Sequence, residues 1–274
     1  HVATADVVVI GGGLHGCSEA LHLARAGVSA LVLEKNYVGR HASGVNAGGV
    51  RSLGRHPAEI AVSRSAVAVW RGLPELVGDD CGFVASGQVA VAEDADDMGR
   101  LEQRVRFLRD LGFEHEELVD RAGLDRLVPR IAEHPVGGLV VHGDGYADPF
   151  RTVEAFRRRA HSVGVEFRTG HRVHSIARDG TKWIVRAEGV RLAADQVINC
   201  AGAWGAEVAA MVGDALPVRA EAPMMLVTAP TERFLALTLY RVKGRFSMKQ
   251  GARGGILLGH ERAEVGRGRT GAAV

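Results

Sequence analysis

The run from Asp6 to Gly16 constrains this chain more than any other. Asp6 to Ile10 is an almost unbroken β-branched stretch, which suits a strand buried on both faces. It passes directly into Gly11, Gly12, Gly13, Leu14, His15 and Gly16, so glycines fall at 11, 13 and 16 in a G-x-G-x-x-G spacing. Leu14 to Ala26 has apolar residues at 14, 17, 20, 21 and 24, a helical spacing, and Gly27 follows where glycine favours a helix end. Ser29 to Leu33 is a second apolar strand, closed by Glu34. Strand, glycine turn, helix, strand and acid in this order predict a parallel βαβ unit of the dinucleotide-binding kind.

Each residue type has a physical task there. Gly11 permits the tight turn out of the strand, Gly13 lets backbone approach a pyrophosphate, and Gly16 lets the helix pack closely on the strand. With Leu14 and His15 they present first-turn N–H groups and the positive end of the helix dipole to phosphate. Glu34, 18 residues after Gly16, is placed to accept from ribose hydroxyls, and a carboxylate there disfavours the 2′-phosphate of NADP. The alternative is a glycine-rich turn with no ligand. NAD and FAD use the same unit, so the choice falls to the next residues. From Tyr37 to Arg51 the chain has neither helical nor strand pattern and is rich in Gly, Ser and Asn. A domain for NAD alone is expected to enter its next crossover helix here. A loop can instead follow a larger cofactor, with Lys35, Arg40, His41, Ala42, Ser43, Asn46, Gly48 and Gly49 as candidate contacts. A plain surface loop is the other reading.

Composition excludes several classes. Of 274 residues 46% are apolar and 24% charged, too apolar a balance for wholesale disorder, and the 36 glycines have no collagen period. A net charge of +2 gives no electrostatic case for nucleic acid, and the basic run Lys243 to Arg253 reads as a solvated face. No stretch is apolar enough for a transmembrane helix. The chain begins with His and enters its first strand with no basic leader. Cys17, Cys81 and Cys200 are far apart, with no C-x-x-C, so neither zinc nor a disulfide is expected and a cytoplasmic location fits.

Further along, Ala58 to Leu76 reads as a helix stopping near Pro74. Phe83 to Ala92 reads as a strand pair, Met98 to Leu111 and Gly123 to Leu127 as helices, and Gly138 to His142 as a strand. Asp148 and Pro149 are an N-cap and first-turn proline for a helix through His161. Strands follow at Val165 to Arg168, His171 to Ala177, Lys182 to Ala187, Val190 to Ala193 and Val197 to Cys200, then a helix from Trp204 to Met211. Pro223 to Val227, Arg245 to Lys249 and Gly255 to Gly259 read as further sheet, and the tail after Glu261 has little periodicity. The expected fold class is α/β: a discontinuous Rossmann-like cofactor domain, residues 1–80 and 145–216, and an α+β substrate domain on a mostly antiparallel sheet, residues 81–144 and 217–274.

Four passages together resemble the FAD-dependent D-amino-acid oxidase superfamily, within it the branch of sarcosine oxidase β-subunit and glycine oxidase. They are the turn around Gly11 with Leu33-Glu34-Lys35, the loop Arg40 to Arg51, the run Asp144 to Pro149 with its following helix, and Val197 to Trp204 with Leu216 to Val218. The resemblance implies FAD as cofactor. It also implies that Val173 meets the adenine through its backbone, that Ala201 and Gly202 pass near the pyrophosphate, and that Trp204 walls the flavin or else sits in the core. It implies oxidation of the C–N bond of an amino acid or N-methyl amino acid. That chemistry needs a neutral amine and a clamp for the carboxylate, for which a bidentate arginine is suited. Arg51, at the end of the flavin-facing loop, is the first candidate, followed by Tyr240 and Met248 in second-domain strands, where Arg241 also lies. His41 could bond the flavin covalently or simply neighbour the ring. Partners expected are a small amino-acid-like substrate, no nucleic acid, and a homo- or hetero-oligomer. Relatives usually carry a late glycine-rich stretch that returns to the flavin, so a fragment, a partner-completed site or a disrupted coding sequence is expected. Another FAD- or NAD-dependent oxidoreductase, or a noncatalytic nucleotide-binding subunit, remain the alternatives.

Overall fold

The computed structural model describes residues 3–221, 224–244 and 246–259. The chain divides into two compact units, one of His1–Asn46, Gly72–Gly82 and Asp148–Glu221, the other of Ala47–Arg71, Phe83–Ala147 and Ala222–Val274. The largest difference from the sequence expectation is the segment 47–71, which groups with the second unit rather than with the cofactor domain; the other boundaries shift by two to five residues. The expectation for the tail after Glu261 lies outside the described residues.

The first unit is built on a six-stranded sheet ordered Glu166–Thr169, Ala30–Glu34, Ala3–Ile10, Val190–Asn199, Lys182–Ala187, Val173–Asp179. Its first four strands are mutually parallel, and the last two pair antiparallel. Val8, Val9 and Val32 are fully buried, as the unbroken apolar runs require. The helices Leu14–Arg25 and Pro149–Ser162 pack against each other. The second starts as expected: the Asp148 carboxylate accepts from the Arg151 N–H, with Pro149 in the first turn. Two expected strands, at Val190 and Val197, are one strand, Val190–Asn199. Its register with Ala3–Ile10 runs unbroken from Leu192 to Asn199, and the polar residue Asp195 between the apolar halves ion-pairs with Lys182.

The second unit carries a seven-stranded, mostly antiparallel sheet ordered Met225–Val227, Ile256–Gly259, Ser247–Gln250, Thr238–Arg241, Gln88–Ala92, Gly137–Val141, Glu117–Asp120. Only Thr238–Arg241 with Gln88–Ala92 is a parallel pair among these. Helix Ala95–Asp110, capped by the Asp94 side chain on the Asp97 N–H, lays Leu101 and Val105 on one face with Ala90, Ala92, Leu139 and Val141. Helix Arg121–Leu127 lays Leu124 on the other face with Val89, Val91 and Val140. A two-stranded pair, Gly49–Val50 with Gly145–Tyr146, stands beside this sheet. The helix expected over Ala58 to Leu76 is broken at Gly72 into Pro57–Arg71 and Leu73–Val77. Pro74 opens the second piece instead of ending the first, since a first-turn proline sacrifices no helical hydrogen bond.

Candidate functional site

The first unit gathers most of the expected cofactor residues around the turn after Ile10. A Cβ at Gly11, whose φ is +110°, would collide with the Cys200 carbonyl, and one at Gly16 would collide with the Gly11 carbonyl. The strand ends of Ile10 and Cys200 are joined by the Cys200 N–H donating to the Ile10 carbonyl at 2.8 Å. Both glycines are therefore required by the protein's own backbone, before any ligand is considered. Gly13 is the N-cap of helix Leu14–Arg25 and brings no side-chain cap. Its missing Cβ faces Ser43 Oγ, which accepts from the Leu14 N–H at 3.0 Å. An oxygen thus already sits at the N-terminus of this helix, and the amides of His15 and Gly16 occupy first-turn positions that have no intrahelical acceptor. Phosphate oxygens fit this donor set.

Glu34 ends its strand buried, at 7% exposure, and its two oxygens accept from the Gly12 N–H at 2.7 Å and the Asn36 N–H at 2.8 Å. An ionised carboxylate has about four acceptor positions, so these bonds fix its orientation and leave room for a ribose hydroxyl. Around the adjoining loop, the Lys35 ammonium lies 2.9 Å from the Trp204 ring centroid, and the His41 ring centroid lies 4.7 Å from the same indole. Burial, then the Lys35 charge, lowers the His41 pKa from its ordinary value, so the ring is neutral at pH 7. Burial, then Arg172, lowers that of Lys35. Arg40 lies over Tyr37 at 5.9 Å. Ala42 and Ser43 belong to a short helix, Ala42–Val45, where the sequence suggested only loop, and Asn46 donates to the carbonyls of both. Val173 is buried at the start of its strand. The Ala201 N–H donates to Asn199 Oδ1, and Gly202, with φ +56°, opens the 3-10 turn that carries Trp204.

The second unit holds the remaining candidates. Gly48 has φ +68°, and a Cβ there would strike the Ala147 carbonyl. Arg51 donates from Nη1 to the Leu53 carbonyl at 3.2 Å, and its guanidinium lies 6.0 Å from the Tyr240 ring. The turn after Arg51 is held by buried acids that sequence reading missed. Asp144 accepts from the Ser52 and Leu53 N–H groups at 2.8 Å and from the Ser52 hydroxyl. Glu116 accepts from the Gly54 N–H and from both Nε and Nη2 of Arg104, which also donates to the Arg55 carbonyl. Nothing local marks these pairings, which span 92 and 62 residues of sequence.

Cross-strand register sorts the strand residues by face. Leu239 lies opposite Met248 and Tyr240 opposite Ser247. Directly opposite residues share a face, so Met248 is turned toward the Leu235, Leu237 and Leu239 core and away from Tyr240. Met248 and Tyr240 therefore lie on opposite faces of this sheet. By the same register Lys249 shares the face of Thr238 and Tyr240. Burial pushes the Tyr240 hydroxyl up to about 12, against the opposing Arg51 charge, so it is a proton donor throughout the neutral range. Arg241 points away to an ion pair with Glu93.

A family described as DAO, FAD dependent oxidoreductase, matches residues 6–272. The chain belongs to this family. Its cofactor is FAD, and the turn around Gly11 with Glu34 fits that group. Among curated relatives, the chain is 27% identical over 264 residues to an opine oxidase subunit from Rhizobium meliloti, covering 93% of this chain and 70% of that one. It is 28% identical to glycine oxidase of Geobacillus kaustophilus (strain HTA426), with coverage of 93% and 69%. It is 29% identical to 4-methylaminobutanoate oxidase (formaldehyde-forming) of Paenarthrobacter nicotinovorans, covering 80% of this chain and 27% of that one. The solved glycine oxidase of Geobacillus kaustophilus superposes with a TM-score of 0.85 at 22% identity, over 97% of this chain and 75% of that one. L-proline dehydrogenase from P. horikoshii gives 0.86 at 22%, over 96% and 72%. These two likenesses establish the fold. Among the described residues no helix is long and apolar enough to cross a membrane, and no group of three or more His, Cys, Asp or Glu could hold a metal.

One buried group ties the second unit to pH. The His115 side chain is 8% exposed, and its Nε2 lies 3.9 Å from a Glu116 carboxylate oxygen. Burial lowers its pKa below the ordinary 6.5, against the Glu116 carboxylate, which raises it. The unfolded chain therefore binds a proton that the folded chain refuses, and stability falls as pH drops through 6.5 and levels off below the depressed folded value. In His115→Phe, melting temperatures measured between pH 8 and pH 5 are expected to decline less steeply than in the wild type. An identical slope would show that His115 contributes nothing to acid sensitivity.

Proposed function

We propose that this chain is the cofactor- and substrate-binding part of an oxidoreductase that oxidises the C–N bond of an amino acid or N-alkyl amino acid. The observation that carries the reading is the FAD-compatible turn of the first unit, held within a family whose relatives here are named for glycine, opine and 4-methylaminobutanoate oxidation. Bound FAD supplies a two-electron acceptor for the hydride that leaves the carbon beside the amine. In this reading Gly11, Gly13, Leu14, His15 and Gly16 hold the pyrophosphate, and Glu34 orients the ribose. Arg51 clamps the substrate carboxylate through a guanidinium kept in place by the Leu53 carbonyl. Tyr240, protonated and buried, donates a hydrogen bond beside Arg51 and removes no proton. The amine loses its proton to solvent as the C=N bond forms, and water then hydrolyses the imine. Assembly with another polypeptide is part of the same reading, since one relative is itself named as a subunit.

The test is anaerobic flavin bleaching near 450 nm by a panel of amino acids and N-methyl amino acids. Reduction by at least one carboxylated amine is expected, with Arg51→Ala raising the KM for that substrate by about 100-fold, the order of a lost charge-assisted pair. Bleaching by NADH alone would replace this reading with a nicotinamide-linked one. Protein that takes up no FAD would leave only a noncatalytic role.

A further inference from the structure

Glu116 meets both the turn after Arg51 and a titratable ring. Its side chain is 1% exposed. Oε2 accepts from Arg104 Nε at 2.7 Å, and Oε1 accepts from Arg104 Nη2 and from the Gly54 N–H, each at 2.8 Å. A carboxylate oxygen has about two acceptor positions, so Oε1 is filled. His115 Nε2 lies 3.9 Å from this same oxygen. A neutral ring can leave that oxygen alone. A protonated ring is a third donor, with a full charge, beside an oxygen that has no position left. The Gly54 amide is the partner that gives way, because it brings one neutral N–H against the two charge-assisted bonds of Arg104.

Gly54 matters because of what stands against it. Its φ is +69°, and a Cβ there would lie 2.6 Å from the Tyr240 hydroxyl and 3.8 Å from Arg51 Nη1. The Gly54 backbone therefore spaces these two groups, and its amide is tied to Glu116. Burial is the main influence on the His115 proton and opposes it, as does Arg64 from helix Pro57–Arg71. Glu116, the Ser52 main chain and Asp144 favour it, and the Phe113 ring lies edge-on at 6.2 Å. The ring is thus neutral at pH 7 and takes a proton only below the ordinary 6.5. We propose that Glu116 is a positioning residue for Arg51 and Tyr240, and that a proton on His115 draws its carboxylate away from the Gly54 amide, so that the substrate carboxylate is held more weakly in acid. The inference rests on the proposed amine oxidation, in which Arg51 takes that carboxylate.

The experiment uses the FAD-loaded chain and methoxyacetate, which presents a carboxylate with no amine and stays an anion between pH 5 and pH 8. Calorimetric titration should show binding to wild type about 10-fold weaker at pH 5 than at pH 8, the order of one lost hydrogen bond. In His115→Phe and His115→Gln the two values should agree within about 2-fold, and likewise in Glu116→Gln, whose amide does not attract an imidazolium. Charge alone gives the opposite sign, since a proton on His115 adds positive potential and would strengthen anion binding in acid. Equal or tighter wild-type binding at pH 5 therefore overturns the proposal. So does an acid loss that survives in any of the three variants, or a protein that binds methoxyacetate at neither pH, which removes the Arg51 clamp as well. Deuterium exchange reads the Gly54 amide without ligand. Corrected for the chemical effect of pH, its protection should fall at pH 5 in wild type and hold in His115→Phe, and constant protection in wild type rejects the route through Glu116. With a reacting amine, the wild-type KM relative to that of His115→Phe should rise by the same factor in acid while the kcat ratio stays flat. If no amine bleaches the flavin but the His115-dependent loss of methoxyacetate persists, the positioning role stands and the redox reading falls.

Discussion

Gly16→Ala is expected to weaken FAD binding severely and to destabilise the first unit more than any other single-methyl addition in the turn. The added Cβ would overlap the Gly11 carbonyl oxygen and touch Cys200 Cβ at 3.4 Å. Neither obstacle is the end of a flexible side chain. Gly11 is itself fixed, with φ +110° and the Cys200 carbonyl against its own missing Cβ. Relief therefore requires the start of helix Leu14–Arg25 to move off the sheet, which forfeits packing by Cys17, Ala20 and Leu21, all fully buried. Overpacking of this kind costs about 1–3 kcal/mol and more where backbone must shift. The same movement carries the Leu14, His15 and Gly16 amides away from any phosphate, so FAD affinity should fall by about 100-fold or more. Gly27→Ala is the matched control. Its φ is +81° but nothing lies within 4 Å of the new methyl group, so it should cost only the left-handed strain of about 1–2 kcal/mol and retain FAD. Fluorimetric FAD titration and thermal melting distinguish the two variants. Equal flavin affinity in Gly16→Ala and Gly27→Ala would show that the helix start does not need its close approach.

The contrast between those glycines also shows which parts of this molecule the sequence displays. The turn at Gly11 was legible because strand, glycine spacing, helix and terminal acid are all local, and each constrains its neighbours. The N-cap at Asp148 was legible for the same reason. The loop after Lys35 was legible as irregular backbone, but not its division: Asn46 belongs to one unit and Ala47 to the other, a boundary with no turn or composition signal. Edge strand Glu117–Asp120 carries no apolar alternation, since it has one sheet neighbour and its residues are partly exposed. The faces of Ser247–Gln250 were hidden for a related reason. Four residues with one clear hydrophobe do not set a phase, and only pairing of Met248 with Leu239 decides that Lys249, not Met248, shares the wall of Tyr240. A buried lysine then reads as solvent-facing until its register is known. Asp144 is the extreme case, because its partners lie 91 and 92 residues away.

That distance makes Asp144 the second strong prediction. The carboxylate is 1% exposed and accepts from two successive backbone N–H groups, Ser52 and Leu53, and from the Ser52 hydroxyl. Asp144→Ala leaves these donors buried without an acceptor. An orphaned buried donor costs about 1–3 kcal/mol, and loss of a buried charged hub about 3–5 kcal/mol, so the melting temperature should drop by roughly 10 °C. Asp144→Asn offers one acceptor oxygen in place of two. It can satisfy one N–H well but not the full set, and should fall between wild type and alanine. The functional consequence follows from the chain neighbour. Arg51 immediately precedes the clamped pair, and its Nη1 bond to the Leu53 carbonyl exists only while that turn is held. Under the proposed reading, Asp144→Asn should therefore raise the KM for a carboxylated amine while leaving bound flavin content near wild type, because the expected pyrophosphate and ribose contacts come from other residues. Flavin content, melting temperature and KM measured on the same preparations test this separation. A wild-type KM in a destabilised Asp144→Asn protein would mean that Arg51 does not depend on the turn, and an unchanged melting temperature in Asp144→Ala would mean that water replaces the carboxylate in full.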